Sequence, residues 1–215
     1  MQQKDKETYL IDGAVGKLEV ALDSPNEIKD DQLAVVICHP HPLYQGTMEN
    51  KVVTTISRSF NQLGILSVRF NYRGVGQSEG EYADGIGEVD DLVAVVEWLR
   101  GQNKAQKIIL AGFSFGGSVA YKGASRIDNV VHLLAIAPSV IHFDLKEAQE
   151  PYVPFLVILS KDDEVVSASD TLDWLTKEFN QAFSLISLMA AGHFFHGRLV
   201  ELKNEIINHY SLRLG

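Results

Sequence analysis

Short apolar runs alternate with amphipathic stretches along most of this chain. Leu33–Cys38, Ile65–Phe70, Lys107–Ala111, Val131–Ala137, Phe155–Ser160 and Phe183–Met189 read as strands. Several of them are apolar at consecutive positions, as expected for a parallel sheet covered on both faces. Between them, Met48–Leu63, Ile86–Arg100, Phe115–Ser125, Ala168–Asn180 and His196–Tyr210 read as helices. The stretch 86–100 is the plainest case. Val89, Leu92, Val93, Val96 and Leu99 share one face at helical spacing, while Glu88, Asp90, Asp91 and Glu97 fall elsewhere. Upstream, Thr8–Asp12 and Lys17–Leu22 flank Gly13-Ala14-Val15-Gly16, the pattern of a hairpin. A hairpin followed by repeated βα units predicts an α/β fold: a mostly parallel sheet with an antiparallel N-terminal edge and helices on both faces. Only residues 138–154 separate two of the later strands. That is room for a loop or one helical turn, so no cap domain and an open site are expected.

Composition narrows the setting. The 215 residues suffice for one cored domain, read as residues 8–215 behind a polar tail, 1–7. A net charge of −9 argues against nucleic acid or an anionic membrane surface as partner. Cys38 is the single cysteine, which excludes a disulfide within the chain and suits a reducing, cytoplasmic setting. The first residues have no apolar core of a secretory signal, and no apolar run approaches a membrane span.

The most informative segment is Gly112-Phe113-Ser114-Phe115-Gly116. It sits between an apolar strand and a helix start, and a serine with glycines at −2 and +2 on such a turn has the form of a nucleophile elbow. A serine nucleophile needs a base, an orienting acid and donors for an oxyanion. In a parallel sheet those groups lie beyond the carboxyl ends of the strands. After Phe155–Ser160, the run Lys161-Asp162-Asp163-Glu164-Val165-Val166 offers two aspartates, Asp162 and Asp163, as the acid; Asp163 is preferred on its resemblance to the D-x-V-V run of enzymes with such an elbow. After Phe183–Met189, the loop holds His193 and His196. His193, directly after Gly192, is preferred as the base, and His196 as a residue starting the last helix. The oxyanion hole should combine the backbone N–H of Phe115 with one from the loop His39–Gly46. Pro40 and Pro42 carry no N–H, which leaves His41, Leu43 and Tyr44; His41 leads because it resembles, by position, the usual donor of enzymes with such an elbow. His39 and His41 could share a face in an extended segment, but no further ligand completes a metal set, so neither metal nor cofactor is expected. The run Gly74-Val75-Gly76 lacks the third glycine of a dinucleotide loop and reads as a tight turn, with Arg73 bonding nearby carbonyls. His132, His142 and His209 read as structural.

Four runs carry a resemblance: His39-Pro40-His41-Pro42 with Gly46–Lys51, Arg69–Ser78, Gly112–Gly117 and Gly192–Gly197. Over about residues 8–210 the chain resembles the small, lidless bacterial α/β-hydrolases, near the dienelactone-hydrolase-like and serine-esterase-like members. It departs from them where the family's oxyanion strand often ends His-Gly and this one ends His39-Pro40. The dienelactone branch uses cysteine where this chain has Ser114, so that activity is not implied. The resemblance implies an α/β-hydrolase fold without a cap. It also implies a serine hydrolase that cleaves small acyl esters or thioesters through Ser114, His193 and Asp163. The alternatives are a peptidase or acyltransferase on the same triad, or a non-catalytic binding protein that kept the fold.

Overall fold

The computed structural model describes residues 7–145 and 148–213. Eight strands form one sheet: β1 (Glu7–Asp12), β2 (Lys17–Asp23), β3 (Leu33–Cys38), β4 (Leu66–Phe70), β5 (Lys107–Phe113), β6 (Val130–Ile136), β7 (Phe155–Ser160) and β8 (Phe183–Leu188). Their spatial order is β1-β2-β4-β3-β5-β6-β7-β8. The hairpin β1–β2 is antiparallel, and β2 meets β4 antiparallel; every pairing from β4 to β8 is parallel. The first strand begins at Glu7, paired with Leu22, so one residue assigned to the tail belongs to the sheet. The rest of that tail, residues 1–6, lies outside the described residues.

Two apolar layers sit on the sheet because side chains alternate along each strand. Val35 and Ile37 point to one face, where helices α1 (Lys51–Gln62) and α5 (Leu199–Ser211) cover them with Val52, Ile56, Leu202 and Ile206. Ala34, Val36 and Cys38 point to the other, beneath α2 (Gly87–Gly101), α3 (Phe115–Ala124) and α4 (Ala168–Lys177). Between β6 and β7 the described residues hold turns and bends but no strand or helix, and no cap covers the sheet end.

The helices depart from the sequence expectation at their ends, for local reasons. Helix α1 starts at Lys51 rather than Met48, because the Asn50 side chain accepts from Val52 N–H and fixes the first turn there. Helix α4 stops at Lys177; Phe179 then folds back against Trp174 instead of continuing to Asn180. Helix α5 begins at Leu199, three residues after His196, since Phe195 and Gly197 both hold left-handed φ, at 53° and 73°. The acids of α2 are not all solvated as their spacing suggested. Glu88 and Asp91 are fully buried. Glu88 accepts the N–H groups of Ala83 and Gly85, and Asp91 accepts from Arg73. Arg73 therefore bonds a carboxylate and not the carbonyls expected of it.

Candidate active site

Strand β5 lies in the middle of the sheet and runs into the turn at Ser114, which adopts φ 55° and ψ −120°. A non-glycine residue at positive φ is strained and is held only by its surroundings. Here the surroundings are backbone. A Cβ on Gly112 would lie 2.0 Å from Gly116 O, and one on Gly116 would lie 2.3 Å from Cys38 O and 2.5 Å from His39 O. The two glycines thus let the elbow press against the end of β3, where the loop with His41 begins. The Ser114 hydroxyl is left facing a cleft at the carboxyl ends of the strands.

The loops after β7 and β8 reach this hydroxyl together because the two strands are neighbours. His193 Nε2 is 3.1 Å from Ser114 Oγ, and His193 Nδ1 is 2.8 Å from Asp163 Oδ2. An ionised carboxylate only accepts, so Nδ1 carries the proton and Nε2 is free to accept from the serine. The Asp163 carboxylate divides its work. Its Oδ1 accepts from Val165 N–H at 2.8 Å and Val166 N–H at 2.7 Å, which fixes the plane in which Oδ2 meets the imidazole. Both side chains are nearly excluded from solvent, 3% exposed for His193 and 2% for Asp163, so bulk water does not compete for their bond. Phe113 and Phe194 enclose the imidazole, with ring centres 4.9 Å and 5.0 Å away. His196, the other histidine of this loop, is exposed and meets only Phe194 by ring contact.

The loop after β3 forms a 3₁₀ turn, Pro42–Tyr44. Leu43 N–H donates to His41 Nδ1, and Tyr44 N–H donates to His41 O. Those two alternative donors are therefore spent inside the turn. Among the described residues the N–H groups of His41 and Phe115 donate to no protein acceptor. The His41 ring is held from several sides, with ring centres of Tyr44, Tyr82 and Phe115 5.0, 5.1 and 4.9 Å away and Nε2 3.2 Å from the Tyr82 hydroxyl. Burial lowers its pKa. His39 does not share the cleft with it. It is fully buried, its Nδ1 pairs with Pro40 O, its Nε2 accepts from Tyr72 N–H, and burial lowers its pKa to about 3. Among the described residues no group of three or more potential ligands could hold a metal ion. Cys38 is buried against Tyr72, and desolvation lifts its thiol to about 12, so it is an inert packing residue.

The cleft holds about 360 Å³. Ser114, Phe115 and His41 line it together with Val140, Ile141 and Phe143 from the segment after β6 and Val165 and Val166 from the loop after β7; Ser139, Ser167, Asp170 and His142, the last read from the sequence as structural, add polar groups. The apolar residues of these two segments were not picked out from the sequence, where they look like ordinary loop apolars. The segment after β6, too short for a cap, supplies part of the lining. A mostly apolar cleft with a hydroxyl within hydrogen-bond reach of an imidazole and two unspent N–H groups has the geometry to bind an acyl carbonyl. Among the described residues no helix is long and apolar enough to cross a membrane.

The chain also matches known proteins. Residues 12–152 match the model of the family described as X-Pro dipeptidyl-peptidase (S15 family). The uncharacterized protein RP471 of Rickettsia prowazekii is 35% identical over 189 residues, covering 83% of this chain and 78% of that one. An alpha-beta serine hydrolase homologue from Coxiella burnetii is 38% identical with TM-score 0.88, covering 97% of this chain and 98% of that chain. XC6422 from Xanthomonas campestris, an α/β serine hydrolase without lid, is 36% identical with TM-score 0.86, covering 96% of this chain and 94% of that chain.

Proposed function

From a chain that belongs to the X-Pro dipeptidyl-peptidase (S15) family, with the fold of the lidless α/β serine hydrolases, we propose an enzyme that cleaves small acyl esters or thioesters through Ser114, His193 and Asp163. The observation that carries this reading is the continuous line from Asp163 Oδ2 through the His193 ring to Ser114 Oγ, opening into a mostly apolar cleft. Ser114 Oγ attacks the acyl carbonyl while His193 Nε2 takes its proton. Asp163 keeps the Nδ1 proton in place and stabilises the imidazolium. The N–H groups of Phe115 and His41 receive the negative charge that develops on the carbonyl oxygen. The imidazolium then gives its proton to the leaving alcohol or thiol, and the acyl group stays on Ser114. A water molecule, deprotonated by His193, attacks the acyl-enzyme; collapse of the second adduct returns the proton to Ser114 and releases the acid. No cofactor or metal enters this sequence. The substrate is a small molecule, with neither nucleic acid nor membrane as partner, and the place of action is the cytoplasm.

The test is turnover of short p-nitrophenyl esters and thioesters by wild type and Ser114→Ala. The expected loss is on the order of a thousandfold or more in kcat. Full activity in the serine variant would sink the proposal. The family description favours one second reading, a peptidase on the same groups. Faster cleavage of an Xaa-Pro anilide than of the short esters would select it.

A further inference from the structure

The acid and base loops are joined by more than the Asp163–His193 pair. Asp162, Asp163 and Glu164 follow one another, and each holds a different point of the histidine loop. Asp162 Oδ1 accepts from Ala191 N–H at 3.1 Å and from the buried Ser160 hydroxyl at 2.8 Å. Glu164 Oε2 accepts from the backbone N–H of His193 itself at 3.1 Å. The held loop is one that would not stay in place by its own preferences. Ala190 has φ 50°, Gly192 φ 57° and Phe195 φ 53°, so left-handed residues lie on both sides of the histidine. A Cβ at Gly192 would stand 3.2 Å from Glu164 Oε2, so the glycine also makes room for this contact.

We infer that Asp162 and Glu164 are positioning residues: two carboxylates that grip the backbone on either side of Gly192 and so set where His193 Nε2 stands relative to Ser114. This rests on the proposed roles of Ser114 and His193. Asp163 orients the ring through its side chain, but a rigid ring on a loose loop would still miss the serine. Glu164 removes that freedom by binding the same residue through its main chain. Asp162 passes the constraint down to Ser160, the last residue of β7, so the loop is tied to the sheet. The Ser160 hydroxyl, with the Ala191 and Gly192 N–H groups, holds the Asp162 carboxyl below its ordinary value, which keeps it an acceptor.

The experiment compares wild type, Glu164→Ala, Glu164→Asp, Glu164→Gln, Asp162→Ala and Asp162→Asn, on p-nitrophenyl acetate and by the rate of fluorophosphonate labelling at Ser114. Loss of the acceptor or of its reach should lower kcat about tenfold in E164A, E164D and D162A while KM stays within twofold, since misplacement of the base acts on the reacting step. E164Q and D162N keep a carbonyl oxygen in place and should recover to within about twofold of wild type, by the same reasoning. Equal kcat in wild type, E164A and D162A overturns the inference. So does E164Q as slow as E164A, because charge rather than an acceptor would then be at work. If E164A does not fold, E164D against E164Q decides. The Nδ1 proton resonance of His193 gives a reading independent of turnover. It should be sharp and downfield in wild type and E164Q and broadened in E164A; an unchanged resonance in E164A overturns the inference. A wild type that neither turns over ester nor labels counts against the proposed reaction. An active, Ser114-dependent wild type with indifferent Asp162 and Glu164 variants counts only against the positioning.

Discussion

At position 114 the backbone geometry depends on what the neighbouring residues lack. The serine reaches its left-handed conformation because Gly112 and Gly116 offer no Cβ to the backbone around them. The space a Cβ on Gly116 would need is filled by the carbonyl oxygens of Cys38 and His39, which cannot rotate away. Gly116→Ala should therefore push the elbow from the end of β3 and cost about 1–3 kcal/mol or more. Gly101→Ala, at a site with no heavy atom within 4 Å, is the matched control and should leave stability nearly unchanged. Denaturant midpoints of the two variants make the comparison; equal midpoints would mean that the turn can relax. This residue-level packing was legible in the sequence, since glycine at −2 and +2 of a serine has few other causes between a strand and a helix. The tie from Glu164 to the His193 main chain was not legible. It joins residues 29 positions apart through a backbone N–H, and backbone donors leave no mark in a sequence.

Helix α2 shows what element-level patterns miss. Its apolar spacing located the helix to within one residue at each end, yet the same spacing assigned all its acids to one class. Asp91 is in fact fully buried and takes three contacts from the Arg73 side chain and one from the Arg73 N–H, at 2.7 to 3.0 Å. A buried carboxylate is tolerable only with such a partner, and the partner here comes from the loop after β4. The pair fastens the turn Arg73–Gly80 to the helix that covers the sheet. Asp91→Ala leaves a buried guanidinium uncompensated and should cost about 3–5 kcal/mol. Thermal or urea unfolding of this variant against Asp90→Ala, which removes a half-exposed partner of Arg126, separates buried from surface pairing. A loss no larger than that of Asp90→Ala would show that Arg73 finds water instead. Periodicity marks which face of a helix is apolar; which polar residue on that helix meets a distant arginine depends on loop geometry that periodicity does not encode.

Over the whole molecule, the two histidines that burial shifts furthest couple the fold to acidity. Burial takes His39 down to about 3 and His132 to about 4, from an ordinary value of 6.5. Between those values the unfolded chain binds more protons than the folded one, so unfolding gains ground as pH falls. The contribution to stability is fully present above about 6.5 and is lost progressively toward 4 for His132 and 3 for His39. Each group adds at most about 1.4 kcal/mol per pH unit across its window. Calorimetric midpoints should fall between pH 7 and pH 4.5, and His132→Leu should flatten that decline; a midpoint that rises on acidification contradicts the assignment. The global plan was readable from the alternation of strands and helices, because a mostly parallel sheet leaves little choice about where loops gather. The spatial order of the strands carries one more consequence. From β5 to β8 they lie side by side in the order in which a ribosome makes them. The elbow and the loop of His41 emerge early, the acid later, and the base only with the outermost strand. Under the roles proposed here, a nascent chain exposes its serine long before anything can take that serine's proton. The protein would be born chemically silent, with hydrolytic capacity arriving only when its last strand docks.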